Sequence, residues 1–519
     1  MEIEFKFCIP PERLAAVQTA VRRGRWTPIR MEARYFDTPD AALSSRGIAL
    51  RLRREGAQWV QTVKALGLGP LDREEHNVVL GDAPPSLAPR PELHAGSVAG
   101  ARLVAALQAA QGPLVETYGT EMDRVTRNIA FKGGVVELAL DTGRVVARRG
   151  TPQQQEARIC ELELELTTGP VAGLAALATR WATRHGLYLS TVSKAERGER
   201  LLAAHWSQPA AKARAMVAHA AGPAFWQGPA LQRAVVAYCL QQVLSNSSEI
   251  AEGTGTDEHV HQLRIGLRRL RTALRELAPL APGRFDPAWD APLVDVFRRL
   301  GELRDRSQVL QSVHARMQAA GAPALAEPPT GSASAAGAST GAADIVRAAA
   351  FQTALIGLMA FTAQSHAPLA TTPDTDADGT EALGPKDTRR LLQKSIKRLH
   401  TQVRQDAQGF AALTMQKQHR LRKRLKRLRY LTEFVAPALD ADSAAFLNSL
   451  QPALSALGQL NDERVAQGLY GDLATTSNAP VAWFGLGWLA AHQALAVAAC
   501  EQALSHLADA PRLRKSGVR

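Results

Sequence analysis

The stretch Glu161-Leu162-Glu163-Leu164-Glu165 decides the reading of the N-terminal half, together with its counterpart Glu2-Ile3-Glu4-Phe5-Lys6. Alternate side chains of a β-strand point to the same face. Glu161, Glu163 and Glu165 therefore share one face. Glu2, Glu4 and Lys6 share another, with Ile, Phe and Leu forming the apolar faces behind them. The apolar side belongs to a core. The ionised side is too dense for simple solvation, because packed carboxylates repel and stay charged only near cations. The simplest arrangement is a polar-lined β-structure that holds a divalent metal.

Neighbouring segments supply the cations. Arg51-Leu52-Arg53 puts two guanidiniums on one face, and Val60-Gln61-Thr62-Val63-Lys64 reads as a strand ending in Lys64. Arg73, Glu75 and Asn77 are in phase, as are Glu137 and Asp141, and Ser193-Lys194 closes the region. Carboxylates suit Mg²⁺ or Mn²⁺. Arginines and lysines suit an oligophosphate, with Arg as the bidentate partner. Both sets on one inward face suit a metal-phosphate substrate inside a barrel.

These residues carry a resemblance. Residues 1–205 resemble a CYTH domain, of the triphosphate tunnel metalloenzyme family. Its Glu-x-Glu-x-Lys signature falls on Glu2, Glu4 and Lys6. Tyr35-Phe36-Asp37-Thr38-Pro39, Arg51-Leu52-Arg53, Lys64, Arg73-x-Glu75, Glu137 to Asp141, residues 161–165 and Ser193-Lys194 follow in the family's order. The resemblance implies an eight-stranded antiparallel β-tunnel and metal-dependent cleavage of triphosphates. It implies Glu2, Glu4, Glu137, Asp141, Glu161, Glu163 and Glu165 as metal ligands. Lys6, Arg51, Arg53, Lys64, Arg73, Arg124 and Lys194 become the phosphate clamp, and Glu2, Glu4 and Lys6 the catalytic set. The activity implied is hydrolysis of tripolyphosphate to diphosphate and phosphate. Adenylate cyclases and thiamine-triphosphatases of the same family stay open as alternatives, although only Trp26, Trp59 and Tyr35 offer themselves to a base or thiamine ring. A non-enzymatic polyphosphate scaffold also stays open. It is opposed by the carboxylates, from which a pure anion binder gains nothing.

Downstream the alternation stops, and Ala/Leu/Arg/Gln-rich helical stretches take over. A repeat stands out. His261-Gln-Leu-Arg264-Ile-Gly-Leu-Arg268-Arg269-Leu-Arg271 recurs as His419-Arg-Leu-Arg422-Lys-Arg-Leu-Lys426-Arg427-Leu-Arg429, a shift of 158 residues (419 − 261). Such self-similarity signals duplicated helical units. The spacing puts His261, Arg264, Arg268 and Arg271 on one helical stripe, and His419, Arg422, Lys426 and Arg429 on its twin. Leucines occupy another face. Residues 225–510 resemble the CHAD domain, with halves at about 225–320 and 386–510 and a low-complexity linker at 321–385, within which Ile345 to Phe361 can form a helix. This resemblance implies binding of long-chain inorganic polyphosphate along the two stripes.

The whole chain is thus expected to be an α+β multidomain protein, a β-tunnel followed by an all-α duplicated helical bundle, with residues 1–205 able to act alone. Its 519 residues and 46% hydrophobic content allow sizeable cores. The net charge of +13 fits an anionic partner. Aromatic residues are only 5% of the chain, which disfavours nucleic acid held by base stacking. Four scattered cysteines imply neither disulfides nor a zinc site. No run approaches the ~20 uninterrupted apolar residues of a membrane helix, and no leader precedes the first charged strand. The expectation is a cytoplasmic protein, at polyphosphate granules, with Mg²⁺ or Mn²⁺ as cofactor and no membrane partner.

Overall fold

The computed structural model describes residues 3–66, 73–82, 88–203, 207–214, 216, 223–323, 335–363, 383–439, 443–477 and 479–513. The N-terminal half is one antiparallel sheet. Its strands are β1 (Glu4–Cys8), β2 (Thr27–Asp37), β3 (Ile48–Glu55), β4 (Gln58–Leu66), β5 (Arg73–Gly81), β6 (Val115–Phe131), β7 (Gly134–Ala147), β8 (Gln155–Thr168) and β9 (Tyr188–Leu189). They run in the order β5-β4-β3-β2-β6-β7-β8-β1-β9. The described strands number nine rather than eight; the ninth is a two-residue strand paired to β1. Helices α1 (Leu14–Val21), α2 (Val98–Gln108), α3 (Val171–His185) and α4 (Lys194–Ala203) belong to the same half.

Register puts the expected faces where alternation predicts. Glu4 opposes Glu165, Lys6 opposes Glu163, and Cys8 opposes Glu161 across β1 and β8. Glu137 opposes Glu165, and Asp141 opposes Glu161 across β7 and β8. The other face of these strands, with Phe5, Phe7, Leu138, Leu140, Leu162 and Leu164, is buried in an apolar cluster. The sheet is curled, so that Lys64 on β4 acts electrostatically on Glu165 on β8, five places along the strand order.

One end of the curled sheet is filled. Leu201 of α4 is buried with Met31, Ala33, Tyr35, Tyr118, Met122, Val145 and Ile159 in a separate cluster on the inner face. Gly198 makes the approach possible, since a Cβ there would lie 2.1 Å from the Tyr118 ring. α4 thus covers the inner face at this end, and the Glu4–Glu165–Glu137 row lies toward the other end of β7 and β8.

The second half is helical: α5 (Gly228–Glu252), α6 (Asp257–Leu277), α7 (Asp290–Ala319), α8 (Ala335–Arg347), α9 (Ala349–Ala363), α10 (Pro385–Ala407), α11 (Met415–Val435), α12 (Ser443–Ser477) and α13 (Pro480–Ser505). The two repeat copies are α6 and α11. Leu263, Leu267 and Leu270 of the first, and Leu421, Leu425 and Leu428 of the second, are buried. The 321–385 segment holds the helix expected at 345–361 and a further one before it. α8 and α9 lie within the segment, and α9 is buried along most of its length. By length and composition α13 could cross a membrane, and it is only partly buried. His492 and Gln493 interrupt its apolar run, which is why an uninterrupted count passes it over.

The halves share one core. The apolar cluster behind β1, β7 and β8 continues without a break into α5, α6, α9, α10 and α11. Polar contacts lock the junction. The Leu189 amide donates to Gln352 Oε1 at 2.8 Å, and the Thr191 amide donates to Ser248 Oγ at 2.9 Å. The Arg347 guanidinium lies 4.7 Å from the Tyr188 ring centroid.

Candidate active site

The inner face sorts its charges into three groups. Deepest is a saturated ion cluster. Lys194, the first residue of α4, sits 2.8 Å from Asp141, 2.9 Å from Glu161 and 2.7 Å from Glu163. Arg124 grips Asp141 with two nitrogens at 2.7 and 2.6 Å and reaches Glu163 at 2.6 Å. Arg197, one turn along α4, reaches Glu161 at 3.3 Å and Glu252 of α5 at 3.0 Å. Burial alone would raise the Glu161 carboxyl, but Lys194, Lys6 and Arg197 outweigh it and pull it down to about 2. Burial opposes the charge of Lys194 too, and Asp141, Glu161 and Glu163 reverse that, lifting it well above the ordinary lysine range.

The second group is cationic. Arg51 is buried beside Tyr35 and 3.9 Å from Glu75, which also pairs with Lys64. Arg53 pairs with Glu55. Burial pushes Arg53 down to about 10, and the neighbouring Arg51 adds to this. Burial would raise the Tyr35 phenol, yet Arg51 outweighs it and lowers it. Arg51 Nε and Nη2 and Arg53 Nε are buried with no hydrogen-bond acceptor among the described residues. Buried donors without acceptors are costly, and phosphate oxygens would complete them.

The third group is anionic. Glu4, Glu165 and Glu137 stand side by side on β1, β8 and β7 in direct register. Like charges directly opposite each other destabilise a sheet. Partial burial raises the Glu165 carboxyl above its ordinary range, and Glu4, Glu137 and Glu163 raise it further. A divalent cation would relieve this repulsion, and all-oxygen donors fit Mg²⁺ or Mn²⁺. Among the described residues no three acidic, His or Cys side chains already stand close enough to hold a metal. The donor chemistry fits, and the ligands would have to draw together.

The structure therefore divides the expected metal ligands. Glu4, Glu137 and Glu165 stand in one row, where Lys64 offsets only part of the mutual repulsion on Glu165, whereas Asp141, Glu161 and Glu163 are neutralised by Lys194, Arg124 and Arg197. Lys6 donates to the Val192 carbonyl, between the two sets. Glu2 and the Arg73 side chain lie outside the described residues. Sequence reasoning missed Arg197, whose only signal is its i+3 spacing from Lys194 on a helix.

In the helical half α6 and α11 bring the two stripes together. Lys426 is half-buried, and desolvation pushes its ammonium down to about 6, helped by Arg268, Arg422 and Arg264. A cavity of about 730 Å³ opens here, lined by His261, Arg268, Lys426 and Arg429 and by the unforeseen Arg214 and Arg269. Arg264 and Arg268 lie over the Phe297 ring at 5.1 and 5.7 Å. Arg271 is paired with Asp290 at 2.9 Å, away from the cavity lining. Burial lowers the His419 imidazole, and Lys423 and Arg422 lower it further.

Comparison with known proteins agrees with this division. The CYTH domain model matches residues 1–198, and the CHAD domain model matches residues 234–471. The chain thus joins a CYTH domain to a CHAD domain. An inorganic triphosphatase of Haemophilus influenzae is 26% identical over 208 residues, 38% of this chain and 54% of the relative. The chain thus spans about half the length of that curated relative. A CHAD domain from Ricinus communis resembles 59% of this chain and 97% of its own, at 25% identity and a TM-score of 0.40. A Hippeastrum protein assigned as an adenylyl cyclase, with a dominant triphosphatase activity, resembles 40% of this chain and 97% of its own at 20% identity and a TM-score of 0.31.

Proposed function

We propose that the chain is a metal-dependent inorganic triphosphatase that hydrolyses tripolyphosphate to diphosphate and phosphate in the tunnel, and binds long-chain polyphosphate at the α6–α11 junction. The observation that carries the first part is the set of buried Arg51 and Arg53 nitrogens lacking acceptors, in the same sheet as the Glu4–Glu137–Glu165 row. Arg51, Arg53, Lys64, Lys6 and Arg73 bind and orient the phosphate chain. Arg124 and Lys194 keep Asp141, Glu161 and Glu163 ionised and fixed, so the floor of the site holds its shape while charge moves above it. Mg²⁺ or Mn²⁺ held by Glu4, Glu137 and Glu165, with Glu2, would supply Lewis-acid polarisation of phosphate oxygens.

Inorganic triphosphate is favoured over a nucleoside triphosphate or thiamine triphosphate. The aromatic pair in the tunnel, Tyr35 and Tyr118, is stacked on itself at 4.8 Å and buried against α4, leaving neither ring to a base. A cytoplasmic location at polyphosphate granules accords with this reading. Phosphate release from tripolyphosphate, ATP and thiamine triphosphate, each with and without Mg²⁺ or Mn²⁺, tests it. Metal-dependent release chiefly from tripolyphosphate is expected; cyclic AMP formed from ATP, or no release from tripolyphosphate, overturns it.

A further inference from the structure

The cavity between α6 and α11 is lined by two unlike sets of side chains. One is charged: Arg214, Arg268, Arg269, Lys426 and Arg429, with Glu433 paired to Arg429 at 2.7 Å. The other is apolar: Met216, Ile265, Leu447 and Leu454 with the Tyr430 side chain. Gln451 and Ser455 stand exposed on α12 and also line it. A linear inorganic phosphate chain uses only the first set. Covering the second with phosphate oxygens would desolvate charge against hydrocarbon, which is unfavourable. The volume, about 730 Å³, falls in the range of small-molecule sites, which are mostly apolar with a few polar groups that fix orientation.

The apolar set is held in place. Residues 207–214 and 216 between the domains run along the helical half. Asn246 clamps Ala211 through both its amide groups, at 2.9 and 3.1 Å. His259, the N3 partner of Thr256 in the capping box of α6, lies 2.9 Å from the Gln208 carbonyl. This segment carries Arg214 and Met216 to the cavity, one to each set.

We infer that this cavity is a site for a phosphorylated small molecule with an apolar or aromatic body, a nucleoside monophosphate or diphosphate being the representative. Arg268, Lys426 and Arg214 take the phosphate, the Tyr430–Leu447–Leu454 set takes the body, and Gln451 offers an amide to its edge. The inference rests on the reading of the junction as an anion site, and goes beyond inorganic polyphosphate by adding an organic ligand.

The test uses the full chain in EDTA, which removes any metal-assisted binding in the tunnel. Isothermal titration is run with adenosine 5′-monophosphate, and separately with long-chain inorganic polyphosphate, on the wild type and on Lys426→Ala, Leu447→Glu and Ser455→Trp. Near-UV circular dichroism reports folding, and Ser455 is an exposed position whose change spares the core. Saturable binding of the monophosphate is expected. Lys426→Ala should weaken both ligands at least tenfold. Leu447→Glu and Ser455→Trp should lower the ratio of monophosphate to polyphosphate affinity at least tenfold. No monophosphate binding at millimolar concentration, or a ratio unmoved by both Leu447→Glu and Ser455→Trp, overturns the inference while leaving the anion site intact. Polyphosphate affinity indifferent to Lys426→Ala overturns the anion site itself.

Discussion

Single carboxylates and lysines carry opposite burdens in this molecule. Glu165 is held above the ordinary carboxylate range by burial and then by Glu4 and Glu137. A carboxyl whose folded value is raised stabilises the fold below its unfolded value, and that contribution is lost as pH rises through the folded value. At neutral pH its ionisation therefore costs stability unless a cation sits beside it. Glu165→Gln should raise the melting temperature in EDTA, remove the stabilisation given by Mg²⁺, and lower tripolyphosphate turnover about tenfold or more; a melt that stays Mg²⁺-responsive would clear Glu165 of metal binding. Lys426 is the inverse case. With a folded value of about 6, it binds fewer protons folded than unfolded, so this group favours the fold increasingly as pH rises from about 6 toward 10. A polyanion beside it restores the charge. Polyphosphate binding at pH 7.5 should take up a proton, read from titrations in buffers of different ionisation enthalpy, and Lys426→Arg should abolish the uptake. The identity of these residues was readable in the chain, because alternation and i, i+3, i+7 spacing fix faces. Their division into neutralised and repelling sets was not, because it depends on Lys194 and Arg197 arriving from a helix that follows the strand they neutralise.

At the scale of elements, α4 joins chemistry to architecture. Its Lys194 and Arg197 reach into the ion cluster, its Leu201 covers the inner face at one end, and its outer side is tied to α5. Arg197 binds Glu252, and Arg200 pairs with Glu249. Charged pairs that are largely buried cost most when one partner is removed. Glu249→Gln with Glu252→Gln should loosen α4 and raise the KM for tripolyphosphate several-fold, with a smaller change in kcat, because orientation of the binding cations is what is lost. Steady-state kinetics at saturating metal decide it, and an unchanged KM would make the pairs a mere fastening. Alternation predicted the strands well, since one buried and one ionised face leave no freedom of register. The small ninth strand was not foreseen, because Tyr188-Leu189 is too short to show a period. A helix over 345–361 was readable from its apolar composition, but the depth at which α9 is buried was not, because it is set by tertiary packing.

For the whole molecule, two modules read from sequence as separable share a single core. Phe5, Phe7 and Leu164 on the tunnel side belong to the same buried cluster as Val243, Leu270 and Leu428 on the helical side. The contacts that make it so come from Gln352, Ser248 and Arg347, residue types that carry no periodic signal. Residues 1–205 expressed alone should therefore unfold several degrees below the full chain, as differential scanning calorimetry would show; equal melting of the two would reduce the junction to passive contact.

The end covered by α4 also sets a rule of traffic. Under the proposed function, a site covered at that end would admit only the tip of a polymer, so a long phosphate chain would be trimmed from its end rather than cut in its middle. Fragments would then leave by the way they came in, and the next cut would wait for that exit to clear.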